Sequence, residues 1–350
     1  MNVTKMGLVA LAILWAPLLS VAGPGGGSVS GSDPAALAGH GDSTADPLYQ
    51  LWLPEYNRKN PTKPVYYLQM GTVESLRSIK SGVGDFGGGE MPLTDEQMSG
   101  KPKLANLPIA ALALVPIYNI PEFSGQLRLT GPVLARICLG TITRWSDPAI
   151  TALNPGANLP NAKITFIHRA PGTAMNYVLT EYLSKISPEF RAKVGRSHSP
   201  GWPAGISANG QFDDMAQGVR STPNSIGYGA LKFAQDAHLK MATMQNAAGE
   251  FVAPSPETIA AAVGSLESSI PPDFRMSFTN APGRNVYPIV SFTWIYVPVD
   301  TLSPERASLL ADFIEWVVTG GQSYLPQNGF AQLPPSVVTN VKASLVQLRK

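Results

Sequence analysis

An arginine, a glycine turn and a threonine stand together in His168-Arg169-Ala170-Pro171-Gly172-Thr173-Ala174-Met175-Asn176. A guanidinium is a planar, permanently charged fork suited to oxyanions. The unsatisfied N–H groups of a helix's first turn carry partial positive charge. Ahead of this segment Lys163-Ile-Thr-Phe-Ile reads as a short strand, and behind it Tyr177, Val178, Tyr182, Leu183 and Ile186 recur at helical spacing. Strand, turn and helix in that order build an anion site, in which Thr173 caps the helix or offers its hydroxyl to a ligand. The same residues also fit a plainer reading, with Arg169 in a surface salt bridge and Thr173 as a simple N-cap.

Three further segments are of the same kind. Gly39-His-Gly-Asp-Ser43-Thr44 precedes the helix-like Pro47-Leu-Tyr49-Gln-Leu-Trp52, so Ser43 and Thr44 lie where first-turn amides point outward. Met70-Gly71-Thr72 precedes another helix. Gly87-Gly-Gly-Glu90 allows the backbone close to a ligand and puts one carboxylate at the end of a turn, or else makes a tight turn with Glu90 solvated. Converging in space, the four segments form one oxyanion pocket.

Other chemistries lack their residues. Gly82-Val-Gly84-Asp-Phe-Gly87 has the spacing of a dinucleotide fingerprint, but it neither follows a strand nor opens a helix. No P-loop, no Gly-x-Ser-x-Gly elbow and no metal-spaced histidine pair occurs, and His40, His168, His198 and His238 are scattered. No nucleophile and base can be paired, so neither an enzyme nor a cofactor or metal is expected. Cys138 is the only thiol, which forbids an intramolecular disulfide, and its apolar setting suits a buried structural residue. With 26 Lys+Arg against 24 Asp+Glu and no basic run interleaved with aromatics, nucleic acid is not an expected partner.

The elements that position these segments alternate. Val65-Tyr-Tyr-Leu reads as a strand, 73–80 as a helix, and 108–118 and 287–297 as continuous apolar strands. Val133-Leu-Ala-Arg-Ile-Cys-Leu is helix-like, and the last amphipathic helix runs over 304–319, ending at Gly320-Gly321. Such alternation predicts α/β layers around a mainly parallel sheet. At 350 residues the natural organisation is two lobes. One lysine, an apolar run from Met6 to Ala22 and the small-x-small Ser20-Val21-Ala22 read as a signal peptide over 1–22, followed by a Gly/Ser-rich leader over 23–34. No cysteine follows the apolar run to carry a lipid, so a soluble exported protein is expected.

Longer stretches add a resemblance. Gly87 followed by Pro92-Leu-Thr-Asp-Glu-Gln, Leu139-Gly-Thr-Ile-Thr-Arg-Trp145-Ser-Asp-Pro-Ala-Ile, Leu153-Asn-Pro-Gly156, Ser225-Ile-Gly-Tyr228, Phe313-Ile-Glu-Trp316 and Gly329-Phe-Ala-Gln-Leu-Pro occur in order. From about Ala38 to the C-terminus the chain resembles the periplasmic phosphate-binding proteins of bacterial phosphate ABC importers. The resemblance implies a two-lobed α/β type II periplasmic-binding-protein fold, with a hinge and a ligand cleft between the lobes. Lobe 1 would comprise 35–113 plus 288–350, and lobe 2 would comprise 114–287. It implies an exported binding protein that delivers phosphate or a similar oxyanion to an inner-membrane ABC permease.

Carried onto this chain, the family's phosphate loops fall on Ser43 and Thr44, on Thr72, on Glu90 where the family has an aspartate, and on Arg169, Gly172, Thr173 and Ala174. Arg169 would supply charge, Ser43, Thr72 and Thr173 hydroxyls, and Thr44 and the glycines amides. Glu90 would accept the proton of hydrogen phosphate, which sulfate lacks. Three positions depart from the family pattern. Pro171 replaces an aspartate that holds the arginine, Met175 replaces a ligating threonine, and Glu90 is one methylene longer than its counterpart, pushing the ligand outward or turning aside to pair with Arg169. A charge-assisted hydrogen bond contributes about 1.5 to 3 kcal/mol, so losing the threonine weakens binding roughly ten- to a hundred-fold. These departures also admit a second function, a paralogue that keeps the fold and serves as a structural or interaction component of an exported assembly.

Overall fold

In the computed structural model, which describes residues 35–208 and 212–349, strands lead repeatedly into helices. The signal peptide and leader expected over 1–34 lie outside the described residues. β1 (Leu37–Gly41) leads to α1 (Asp46–Lys59), β2 (Val65–Gln69) to α2 (Thr72–Lys80), and β3 (Gly87–Gly89) to the short α3 (Asp95–Ser99). After the long β4 (Leu104–Asn119) come β5 (Arg128–Leu129), α4 (Gly131–Cys138), α5 (Pro148–Thr151) and β6 (Thr165–Arg169). The chain continues through α6 (Ala174–Ile186), α7 (Pro188–Lys193), β7 (Ile206–Ala208), α8 (Phe212–Ser221), β8 (Ser225–Ala230) and α9 (Leu231–Asp236). Last come β9 (Lys240–Met241), β10 (Thr243–Gln245), β11 (Phe251–Val252), α10 (Pro256–Gly264), β12 (Val290–Pro298), α11 (Pro304–Val318) and α12 (Pro335–Leu348).

The starts of several helices follow from local chemistry. A serine hydroxyl accepts from the third helical amide at α10 and α11, Ser255 from Thr258 and Ser303 from Arg306, with proline at the first helical position of each. α11 ends near Gly320, as its glycines predict, but it is not the last helix. α12 follows, opened by Pro335 and buried through Val337, Val341 and Leu345. A 3.6-residue repeat places those three on one face, and the polar residues between them hid the pattern.

The expectation of a mainly parallel sheet is corrected. Among the described residues the large sheet has the order β3-β12-β4-β8-β6-β7, with β9 also on β4, and its central pairings β3/β12, β12/β4 and β4/β8 are antiparallel. Only β6 with β7 and β8 is parallel. The cause is β4, which is buried along nearly its whole length and serves two neighbourhoods. Leu104–Ala113 pairs with β12, and Leu114–Asn119 pairs with β8. A chain that runs out on β4 and returns on β12 lays those two strands antiparallel. A run of apolar residues signals burial on both faces without recording direction.

The segment between α10 and β12 ties distant elements together. Asn106 of β4 donates to the Asp273 carbonyl at 2.8 Å, and Arg275 reaches Asp95 at 2.6 Å and the Leu93 carbonyl at 3.2 Å. From the other side, Ser277 donates to Glu181 of α6 at 2.6 Å, and Lys185 of α6 donates to the Thr279 carbonyl at 3.1 Å.

Candidate functional site

Each expected site segment leaves the carboxyl end of a strand. β1 and β2 pair in parallel from Leu37↔Val65 to Gly41↔Gln69, and Gly39 bridges Phe86 in parallel on the other side. The chain therefore emerges at neighbouring points as Asp42–Thr44 after β1, Thr72 after β2 and Glu90 after β3. In open α/β sheets this is the edge where ligands bind. The loop after β1 is held from beneath by His40, which is buried and bridges the Val83 carbonyl at 2.8 Å and the Ser75 hydroxyl at 3.0 Å.

The glycines before Glu90, expected to form a turn, form β3 instead, paired with β12. A Cβ on Gly89 would stand 2.5 Å from Thr72 Cγ2, and one on Gly88 would stand 3.1 Å from the Trp294 carbonyl oxygen. The run is therefore required by close packing around the site rather than by turn geometry. β12 shifts register against β4 between Thr293 and Trp294, where Trp294 faces Gly89. Thr293 is fully buried there.

The sequence reading gave Asp42 no role, yet Asp42 organises this wall. One carboxylate oxygen accepts from the Thr44 amide at 2.9 Å and the Thr44 hydroxyl at 2.7 Å, and the other accepts from the Thr72 hydroxyl at 3.0 Å. Asp42, Ser43, Thr44 and Thr72 are all buried. Two of the expected ligand donors, the Thr44 amide and the Thr72 hydroxyl, thus already face a carboxylate. An aspartate two residues before a threonine signals such a local turn, but the bond to Thr72 depends on the β1/β2 register.

Glu90 is fully buried, and neither carboxylate oxygen has a hydrogen-bond partner. Burial pushes its carboxyl well above the usual range and the Asp42 charge pushes it further, while the nearby Thr293 hydroxyl and the Arg169 charge pull less strongly the other way. Neither Glu90 oxygen is hydrogen-bonded to Arg169, which acts on it through its charge.

Arg169 ends β6 and is 5% exposed, so its charge is held inside the protein rather than on the surface, as the plainer reading had it. Its amide donates to the Tyr228 hydroxyl at 3.0 Å, and that hydroxyl donates in turn to Asn176. Asn176 also donates to the Ala170 carbonyl at 2.9 Å, fastening the turn after β6 to the first turn of α6. Gly172 takes a φ of 91°, and its amide donates to the His198 carbonyl at 2.9 Å, so it shapes the turn. Thr173 occupies the N-cap position of α6 without making the side-chain cap, and its buried hydroxyl is unpartnered. Ala174 begins the helix and Met175 is buried behind it. His168 is half-buried, its ring 5.6 Å from that of Trp202, and burial holds its pKa below the ordinary value.

The structure therefore brings Thr72 and Thr44 together on Asp42, and sets Arg169 within charge range of Glu90. Sequence reasoning missed Asp42, Asn176 and Thr293, and had quoted Tyr228 without a role. A wide depression of about 550 Å³ lined by Glu122, Arg128, Asn154 and Phe251 lies elsewhere, and it shares no residue with this cluster. Among the described residues no cluster of His, Cys, Asp and Glu could hold a metal ion, and no helix is long and apolar enough to cross a membrane. Buried hydroxyls, an inward arginine and a buried carboxyl fit a small oxyanion.

Residues 28–320 match the model of a PBP superfamily domain. The phosphate-binding protein PstS of Xylella fastidiosa strain Temecula1 is 35% identical over 308 residues, covering 88% of this chain and 84% of that protein. Among solved structures, the high-affinity periplasmic phosphate-binding protein PfluDING bound with phosphate superposes with a TM-score of 0.71 at 17% identity, covering 88% of this chain and 93% of the other. An ABC-type phosphate transport receptor from Vibrio cholerae superposes with a TM-score of 0.57 at 16% identity, over 85% of this chain and all of the other.

Proposed function

We infer that this protein, which belongs to the PstS family of phosphate-binding proteins within the PBP superfamily, is a two-lobed binding protein rather than an enzyme and that its ligand is phosphate. The lobes are assigned to 35–113 plus 288–350 and to 114–287, so that the chain crosses between them within β4 and again just before β12. Support for the assignment comes from the change of β4 partner after Ala113.

The observation that carries the ligand is the meeting of an arginine from β6 with a buried carboxyl from β3 beside the Thr72 and Thr44 hydroxyls. Arg169 would form paired hydrogen bonds to the phosphate oxygens, Thr173 would donate its unpartnered hydroxyl, and Ser43, Thr44 and Thr72 would close the opposite side. Gly172 and Ala174 set the turn and the α6 amides toward the ligand. Glu90 would face a ligand oxygen, donating when protonated and accepting when ionised. Cleavage after Ala22 would place the mature protein in the periplasm, and the partner receiving the phosphate would be an inner-membrane ABC permease complex.

Isothermal calorimetry tests the reading. Phosphate is expected to bind at micromolar concentration or below, and Arg169→Ala to abolish binding while the protein stays folded. A flat titration up to millimolar phosphate would overturn phosphate as the ligand and favour an interaction component that keeps only the fold.

A further inference from the structure

We propose that Asp42 is a built-in competitor of phosphate: its carboxylate occupies the donors that a bound phosphate needs, so the ligand must displace it and the affinity of the site is set by that exchange. The proposal rests on the phosphate reading above and deepens it.

The carboxylate sits as an anionic ligand would. It accepts three hydrogen bonds, from the Thr44 amide, the Thr44 hydroxyl and the Thr72 hydroxyl, at 2.7 to 3.0 Å, and it is 5% exposed. Two of the donors belong to its own loop, and the third comes from the start of α2, on the neighbouring strand's loop. The Asp42 backbone is fixed separately, because its carbonyl accepts from the Tyr67 hydroxyl at 3.0 Å and its amide points to the Gly88 carbonyl at 3.4 Å. The main chain therefore stays in place when the side chain turns, and rotation about the side-chain bonds is enough to release Thr44 and Thr72.

Two consequences separate a competitor from a loop-forming aspartate. While Asp42 holds the donors, the fraction of molecules ready to bind phosphate is reduced, and the observed dissociation constant rises by the same factor. Even after the donors are released, a second negative charge remains near the ligand, beside an already buried carboxyl at Glu90. Both effects vanish when the side chain is made neutral. An asparagine keeps the local turn, since its amide oxygen accepts from the Thr44 amide, and it removes the charge.

The experiment is phosphate calorimetry on the purified wild-type protein, Asp42→Asn and Asp42→Ala, with melting curves to establish folding. Asp42→Asn is expected to bind phosphate about tenfold or more tightly than wild type. Binding by wild type with equal or weaker binding by folded Asp42→Asn overturns the proposal and leaves phosphate as the ligand. Binding gained only in the variant overturns phosphate as the wild-type ligand, and the proposal with it. No binding by either protein overturns the phosphate reading, and the proposal with it. If Asp42→Ala fails to fold, Asp42→Asn decides.

Discussion

Glu90 is a carboxyl with no hydrogen-bond partner in a fully buried position, and that has a consequence for the free protein. Its folded pKa is raised well above 4.5, chiefly by desolvation. The folded state therefore holds a proton that the unfolded chain releases above about pH 4.5. Stability from this group is fully present below that pH and is lost as pH rises toward the raised folded value. Above about pH 4.5, urea unfolding of the ligand-free protein is expected to show stability falling as pH rises toward the raised folded value, by at most about 1.4 kcal/mol per pH unit from Glu90. Glu90→Gln, neutral at every pH, is expected to flatten that slope. An unchanged slope in the variant would rule out Glu90 as its source. At this scale the sequence revealed the residues that stand at strand ends beside glycine or hydroxyl turns: Arg169, Thr72, Thr44 and Glu90. Asp42 escaped because its turn is local while its third bond, to Thr72, exists only once β1 and β2 align Gly41 with Gln69.

The elements carry their own test. Gly39 lies in β1 against Phe86, and a Cβ there would stand 1.9 Å from a ring carbon. Phe86 cannot withdraw, because its ring packs between Tyr49 at 6.2 Å and Phe313 at 5.8 Å and is fully buried. Gly39→Ala is expected to destabilise the protein by about 1 to 3 kcal/mol, the usual range for an overfilled core, read as a lower urea midpoint at unchanged slope. A midpoint equal to wild type would mean that β1 shifts freely. Strand and helix existence was largely legible from apolar runs and periodicity: Val65–Gln69, Thr72–Lys80 and Pro304–Val318 fall within a residue or so of expectation. Strand direction was not legible, because an apolar run buried on both faces reads the same whichever way its neighbour travels. α12 was missed because only Val337, Val341 and Leu345 turn inward.

For the molecule as a whole, the link through Asp273, Arg275, Ser277 and Thr279 joins β4 and α3 to α6, the helix that starts at Thr173 and Ala174. Small-angle scattering is expected to show a smaller radius of gyration when wild-type protein is saturated with phosphate, and no change for Arg169→Ala at the same concentration. An identical radius for liganded and free wild type would exclude closure of the proposed lobes. The two-lobed fold was readable from motif order across the chain, whereas the link through 273–279 was not, since its bonds run to carbonyls and carboxylates distant in sequence. The path of β4 also sets an order of assembly. Its second half finds β8 within the stretch that follows, but its first half must wait for β12, with everything from Leu114 to Ile289 between them. A chain emerging from its N-terminus can complete the intervening stretch while Leu104–Ala113, apolar and unpaired on that side, remains a sticky template. Truncation before β12 leaves that strand permanently exposed, so loss of residues 290–350 makes an aggregating fragment rather than a smaller binding protein.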